Sequence, residues 1–256
     1  MTKPERSVAI VTGARRGIGA AIAVSLAGSG FDVAITDVAD DGADETLSAI
    51  TAAGGQARFV RSDIADVANH ARALDDVLGW RGGIDCLVNN AGISAPRRGD
   101  LLELGPQAFD QVLGVNLRGT FFFTQAVAQR MVAASAAAPR SIITISSVNA
   151  ELASIERGEY SMSKAGLAML TKLFALRLAA NGIAVFEVRP GVIRTSMTQV
   201  VAEKYERRIA DGLVPMGRWG MPRDVGEAVA GLASGHFAFS TGSVLHIDGG
   251  LAVPRL

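Results

Sequence analysis

Short β-branched runs alternate with longer alanine-rich segments of helical period along the whole chain, and that alternation leaves few folds open. Ser7–Thr12 reads as a strand, Gly17–Ser29 as a helix and Asp32–Thr36 as a second strand. A helix over about Gly42–Ala53, a strand near Ala57–Val60, a helix from Val67 to Leu78 and a strand at Ile84–Val88 follow. Helices at Pro106–Leu113 and Arg118–Ala138 precede strand Ser141–Ile145, helix Tyr160–Ala180 and strand Ile183–Val188. Helix Pro222–Ala233 and strand Ser243–Ile247 complete the pattern. Repeated strand–helix–strand units predict an α/β fold, a mostly parallel sheet with helices on both faces. No Pro- or Ser-rich linker divides the chain, so 1–256 is expected to form a single domain. The longest break is Thr195–Gly220, charged and amphipathic; a surface segment of that length is usually functional, and a lid over about 195–220 is expected.

Composition narrows the partners. Hydrophobic residues make up 49% of the 256 positions against 20% charged, enough for a large core. Lys and Arg number 25 and Asp and Glu 25, and this balance argues against nucleic-acid or membrane-surface binding through bulk charge. No stretch approaches the roughly 18 consecutive apolar residues of a membrane span, and there is no secretory h-region. Cys86 is the one cysteine, which excludes an intrachain disulfide; its apolar run, Ile84 to Val88, marks it as a small core residue. A cytoplasmic chain is expected. His70, His236 and His246 show no metal-ligand spacing, so no metal site is predicted.

The first strand runs into Thr12-Gly13-Ala14-Arg15-Arg16-Gly17-Ile18-Gly19, which opens the first helix. Gly13 allows the tight turn, Gly17 lets the backbone approach a pyrophosphate, and Gly19 permits close helix–sheet packing. The helix N-terminus then offers free N–H groups and a positive dipole to the anion. No Gly-Lys-Ser/Thr ending follows, which argues against a nucleotide-hydrolysing loop.

The spacing Gly13-x3-Gly17-x-Gly19 resembles the short-chain dehydrogenase/reductase family, and the rest of that family's pattern follows in order. Asp63 follows the third strand, Asn89-Asn90-Ala91-Gly92 ends the fourth, and Asn116 lies in the helical segment beyond. Ser147 ends the fifth strand, Tyr160 and Lys164 form Tyr-x3-Lys, Pro190-Gly191 ends the sixth strand, and Asp248-Gly249-Gly250 closes the pattern. The resemblance covers essentially the whole chain and implies a Rossmann-type, doubly wound fold. It implies a nicotinamide cofactor lined by Gly13, Arg15, Arg16, Gly17, Ile18, Gly19, Asp37, Asp63, Ile64, Asn90, Ala91, Gly92, Tyr160, Lys164, Pro190, Gly191, Ile193 and Thr195. It also implies a catalytic set of Asn116, Ser147, Tyr160 and Lys164, with Asn116 holding a helix distortion and a water that links Lys164 to solvent.

The residues themselves support that chemistry. Tyr160 and Lys164, four apart, share a helix face, so an ammonium stands where it stabilises negative charge on the phenol oxygen. Lys164 can also donate to ribose hydroxyls. Ser147 stands at a strand's C-terminal end, where sheet ligands bind, while Ser146 faces the other way. The inferred reaction is reversible carbonyl–alcohol interconversion by hydride transfer. Asp37 ends the second strand, where a carboxylate hydrogen-bonds adenosine ribose hydroxyls and repels a 2′-phosphate. Arg15 and Arg16 pull the other way, toward NADP(H); NAD(H) is favoured.

Glu159 can contact a polar substrate or simply favour a helix N-terminus. By resemblance the substrate is a 3-oxoacyl carrier-protein thioester, or else a sugar, polyol or other small alcohol; a non-catalytic dinucleotide-binding regulator is the remaining alternative. Arg97, Arg98, Arg157 and Arg194 can receive an acidic acyl carrier protein or serve as solvated surface. The helix after Tyr160 carries two apolar stripes, Leu167, Leu170, Phe174, Leu178 and Met169, Leu173, Leu176, and must bury both. One meets the sheet and the other another subunit. Family resemblance implies a homotetramer, or less often a dimer, which the apolar tail Leu251–Leu256 can reach.

Overall fold

Seven parallel strands in the order β3-β2-β1-β4-β5-β6-β7 form the sheet in the computed structural model, which describes residues 6–134, 138–199 and 202–254. The strands are β1 Ser7–Thr12, β2 Phe31–Asp37, β3 Ala57–Arg61, β4 Cys86–Asn89, β5 Arg140–Ile145, β6 Ile183–Pro190 and β7 Val244–Ile247. All their pairings are parallel. The helices are α1 Gly17–Gly28, α2 Ala43–Ala52, α3 His70–Arg81, α4 Pro106–Leu113, α5 Thr120–Ala133, α6 Gly158–Leu178, α7 Ser196–Gln199, α8 Ala202–Ala210 and α9 Pro222–Ala233.

Alternation along β1 shows how the sheet serves two cores. Ala9 and Val11 pack with Ile22 and Leu26 of α1, Ile50 of α2 and Val225 and Val229 of α9. Val8 and Ile10 pack on the opposite face with Leu74 and Val77 of α3, Phe123 and Val127 of α5 and Leu167, Leu170 and Phe174 of α6. Successive side chains point to opposite faces, so strands buried on both sides are mostly apolar. On α6 the stripe Leu167, Leu170, Phe174, Leu178 is buried, whereas Met169, Leu173 and Leu176 are 53%, 54% and 81% exposed.

Strand order reverses between β1 and β4, and the crevice at the C-terminal ends of these two strands is where a sheet of this topology binds its ligand. Most predicted elements lie within two residues of those observed, with three instructive differences. The helix expected from Val67 begins with a 3-10 turn, Val67–Asn69, before α3. The helices expected at Pro106–Leu113 and Arg118–Ala138 are joined by a π-helical turn, Gly114–Gly119; α5 ends at Ala133, and residues 135–137 of the expected helix lie outside those described. Strand β6 runs on to Pro190, because Arg189 pairs with His246 and Pro190 with Ile247.

The segment 195–220 carries α7 and α8 over buried Ile209 and Val214; residues 200 and 201 within it lie outside those described. Residues 255 and 256 of the apolar tail also lie outside, while Asp248 binds the N–H groups of Gly250 and Ala252 at 2.9 and 2.8 Å. No helix among the described residues is long and apolar enough to cross a membrane.

Candidate active site

Every predicted site residue lies on a segment at or following the C-terminal end of a strand, and the glycine loop fits its predicted purpose. Gly13 has φ +62°, and a Cβ there would sit 2.7 Å from Ala91 Cα. A Cβ on Gly19 would sit 2.5 Å from Gly13 O and 2.6 Å from Asn90 Nδ2, so α1 can approach this closely only with glycine. Asn90 fastens the loop to β4: its Nδ2 donates to Thr12 O at 2.9 Å and to Gly13 O at 2.8 Å. Thr12 Oγ1 accepts from the N–H groups of Asn90 and Ala91, both at 3.0 Å. The first turn of α1 has no side-chain cap, which leaves its N–H groups for an anion. This uncapped turn beside a glycine cradle fits a dinucleotide's pyrophosphate.

Asp37 decides what Arg15 can do. Asp37 Oδ1 lies 3.3 Å from Arg15 Nε, and Asp41 takes Nη1 of the same guanidinium. Arg16 is exposed. Asp63 is exposed and accepts the Ala65 N–H at 2.9 Å, while Ile64 is buried beneath it. On the other side of the crevice Gly191 donates its N–H to Ile247 O at 2.9 Å, Ile193 is buried, and Thr195 Cγ2 stands 4.0 Å from a Cβ built on Gly17.

The candidate catalytic set converges from three elements. Lys164 is buried on α6 and donates from Nζ to Ile145 O at the end of β5, 3.2 Å away. Its ammonium is 5.5 Å from the centroid of the Tyr160 ring. Ser147 follows β5, nearly buried, and its Oγ accepts the Asn149 N–H at 3.1 Å. Asn116, fully buried, stands in the π-helical turn; its amide exchanges hydrogen bonds with Ile93 backbone at 2.8 and 3.0 Å and donates to Ser163 Oγ at 3.0 Å. Such turns concentrate at functional sites. Gly92 backs onto this group: a Cβ there would lie 3.2 Å from Asn116 Oδ1 and 3.7 Å from Lys164 Nζ. Ser146 faces away from Ser147, onto buried Glu187 of β6.

Two features were not legible from the sequence. Glu187 is fully buried and paired with Arg189 at 2.6 Å, and Arg189 also binds Glu151 in the loop after Ser147. Arg189 holds the Glu151 carboxyl below the usual carboxylate range. The i, i+2 charge pair on one strand face was the signal available for it. Arg157, which the sequence offers as a contact for an acidic carrier protein or as solvated surface, lies over the Tyr160 ring. Arg194 pairs with Glu206 at 3.0 Å, whereas Arg97 and Arg98 are exposed. Glu159 is buried in the first turn of α6 and its Oε1 has no partner. Among the described residues no group of three His, Cys, Asp or Glu could hold a metal.

A glycine cradle beside an uncapped helix start, with a Tyr–Lys pair on a helix at the carboxyl edge of one doubly wound sheet, defines a dinucleotide-dependent oxidoreductase. A family model described as enoyl-(acyl carrier protein) reductase matches residues 13–252, and the chain belongs to the short-chain dehydrogenase/reductase family. It is similar to a 3-oxoacyl-[acyl-carrier protein] reductase from Brucella melitensis solved in complex with NAD, 53% identical, covering 99% of this chain and 100% of that one, with a TM-score of 0.96. The cis-4-hydroxycyclohexanecarboxylate dehydrogenase of Sinomonas cyclohexanicum is 38% identical over 95% of each chain. The 3-oxoacyl-[acyl-carrier-protein] reductase of Aquifex aeolicus is 35% identical over 97% of this chain and 98% of its own. The chain is an NAD(P)-dependent oxidoreductase that interconverts a carbonyl and an alcohol.

Proposed function

We propose that the chain uses NAD(H) to interconvert a 3-oxoacyl thioester and its 3-hydroxy counterpart, with Tyr160 moving the oxygen-bound proton. The observation that carries this reading is Tyr160 on α6 with the Lys164 ammonium 5.5 Å from its ring, one turn along a helix anchored to the end of β5. The nicotinamide, when bound, supplies or accepts the hydride. Ser147 Oγ donates to the substrate oxygen, and Tyr160 gives that oxygen a proton or takes it back. Lys164 keeps positive charge beside the phenol and donates to ribose hydroxyls. Asn116 fixes the Ile93 backbone against Ser163, and Ser163 Oγ in turn donates to Tyr160 O at 2.7 Å, so the start of α6 is held in register.

The names of the relatives share one piece of chemistry, an oxygenated carbon with an acyl or carboxyl group a few carbons away. That supports a 3-oxoacyl group, delivered on acyl carrier protein, as the first substrate to try. Pairing of Arg15 with Asp37 and Asp41 supports NAD(H) over NADP(H), because the loop's better-placed cation is already neutralised. The exposed stripe Met169, Leu173, Leu176 supports a homotetramer or dimer assembled through α6. Lys204 of α8, 3.9 Å from Glu156, supports the segment 195–220 as a lid over the mouth of the site. A cytoplasmic location accords with the chain's lone, buried thiol.

The test is Tyr160→Phe, assayed with acetoacetyl thioester and each reduced cofactor. Turnover should fall by about 10²–10⁴-fold, the usual worth of general acid–base catalysis, with NADH binding retained. An unchanged kcat would remove Tyr160 from its role.

A further inference from the structure

Arg157 immediately precedes the helix that holds Tyr160 and Lys164. It is the N-cap residue of α6, with φ −149°, and its side chain turns back over the first turn of the helix. Arg157 Cζ lies 5.1 Å from the Tyr160 ring centroid. Its Nη2 also donates to Asn149 Oδ1 at 3.0 Å, and its Nε approaches Ser154 Oγ at 3.4 Å. Asn149 is the residue whose N–H binds Ser147 Oγ at 3.1 Å. Ser147, Asn149, Arg157 and Tyr160 therefore form one connected rim around the place assigned to the substrate oxygen.

The partners of this guanidinium are all neutral. Arg15 has Asp37 and Asp41, Arg189 has Glu187 and Glu151, and Arg194 has Glu206, but Arg157 has no carboxylate within ion-pair distance among the described residues. Of the acidic side chains on its own stretch, Glu151 is held by Arg189, Glu156 lies toward Lys204 and Glu159 is buried. A guanidinium is charged at any accessible pH and presents five N–H donors in a planar fork. Two of those donors have acceptors here, and the side chain is only half-buried. A permanent cation with free donors at the reaction centre is complementary to an anion.

We propose that Arg157 receives a carboxylate of the substrate, a few bonds from the reacting carbonyl, so that the chain prefers free oxo acids to neutral esters and thioesters. This rests on the reading that Ser147 and Tyr160 handle the carbonyl oxygen, and it departs from that reading in the substrate alone, a free oxo acid in place of the acyl thioester.

The experiment compares kcat/KM with NADH for acetoacetate, methyl acetoacetate and the acetoacetyl N-acetylcysteamine thioester, and for 4-oxopentanoate against its methyl ester. It uses the full chain, Arg157→Gln and Arg157→Lys, with NADH binding as the check that each variant is folded. For at least one acid–ester pair the wild type should favour the acid by on the order of ten- to a hundredfold, the worth of a hydrogen bond to a charged group. Arg157→Gln should bring that ratio near one, chiefly through the acid's KM, and Arg157→Lys should restore part of it. The proposal is overturned if the esters or thioester are preferred by the wild type, or if Arg157→Gln lowers acid and ester alike, as mere support of Tyr160 would. Absence of turnover for every ketone with NADH bound would overturn the carbonyl-reduction reading itself, a result distinct from a lost acid preference.

Discussion

Replacing Asp37 by serine tests the cofactor reading at a single carboxylate. Asp37 Oδ1 is 3.3 Å from Arg15 Nε, its Oδ2 accepts the Arg15 N–H at 3.4 Å, and Asp41 binds the far end of the guanidinium. The trio carries one net negative charge, and its two inner side chains are 13% and 14% exposed. Two unit charges about 4 Å apart interact by about 1 kcal/mol in water and about 4 kcal/mol at the effective dielectric of a protein surface. Each negative charge of a 2′-phosphate, which carries nearly two at neutral pH, is therefore repelled by about 1–4 kcal/mol, roughly five- to a thousandfold in affinity. In Asp37→Ser the remaining pair is neutral and one side of Arg15 is released. NADPH should bind about tenfold more tightly. NADH, losing a hydrogen bond between ribose and a charged group, should weaken about ten- to a hundredfold. Fluorescence titration of both reduced cofactors, at low and high salt, measures the four constants. Salt should narrow the wild-type preference, since screening weakens exposed charge interactions. Wild-type protein that binds NADPH as tightly as NADH, or a variant with an unchanged ratio, would refute the reasoning.

Two buried groups give further tests. Burial pushes the Cys86 thiol up to about 12, and the thiolate is the reactive form, so a disulfide reagent at mildly alkaline pH should label it only after unfolding. Rapid labelling of native protein would show that β4 opens. Burial pulls His70 below the ordinary imidazole value, and its Nε2 lies 2.9 Å from Ile64 O. An unfolded histidine takes up its proton near pH 6.5, whereas the native ring resists it until the pH is lower; the contribution is therefore whole above about 6.5 and fades as pH falls below it. Tm measured across that range should fall on acidification, and His70→Gln should flatten the slope whatever its effect on Tm itself.

The strands and the glycine loop were legible because their signals are local. A β-branched run followed by Thr12-Gly13 and Gly17-Ile18-Gly19 needs no distant residue to be recognised. The helix distortion at Asn116 follows from the family resemblance, but its π-helical form has no local signal of its own. Gly114 and Gly119 look like a break between two helices, and a single i→i+5 turn has no hydrophobic period to betray it. Strand β6 reads two residues short because Arg189 and Pro190 do not look like the end of a buried strand; pairing of Arg189 with Glu187 permits it. Arg157 reads as a contact for an acidic carrier protein or as solvated surface because the expected helix starts at Tyr160. Beginning α6 at Gly158 makes Arg157 its N-cap residue, and that displacement of two residues puts the guanidinium over the phenol.

The ion cluster beside Ser147 needs a reason, since apolar side chains of similar volume stabilise an interior as well or better. Its members supply one. Glu187 accepts from Ser146, the neighbour of Ser147, and from Arg189; Arg189 reaches Glu151, whose other oxygen is 3.5 Å from His246 of β7. The loop that carries Ser147 and Asn149 is thus fixed on its β6–β7 side by directional bonds, and on its α6 side by Arg157. Apolar packing could hold that loop down but not in one orientation, and hydrogen-bond geometry at a reacting oxygen tolerates little displacement. The same argument explains why the cluster must be complete: a lone Glu187 in this strand would be an uncompensated buried charge, costing about 3–5 kcal/mol. On its β6–β7 side, order at Ser147 therefore depends on Glu187, Arg189 and Glu151, charges outside the catalytic set.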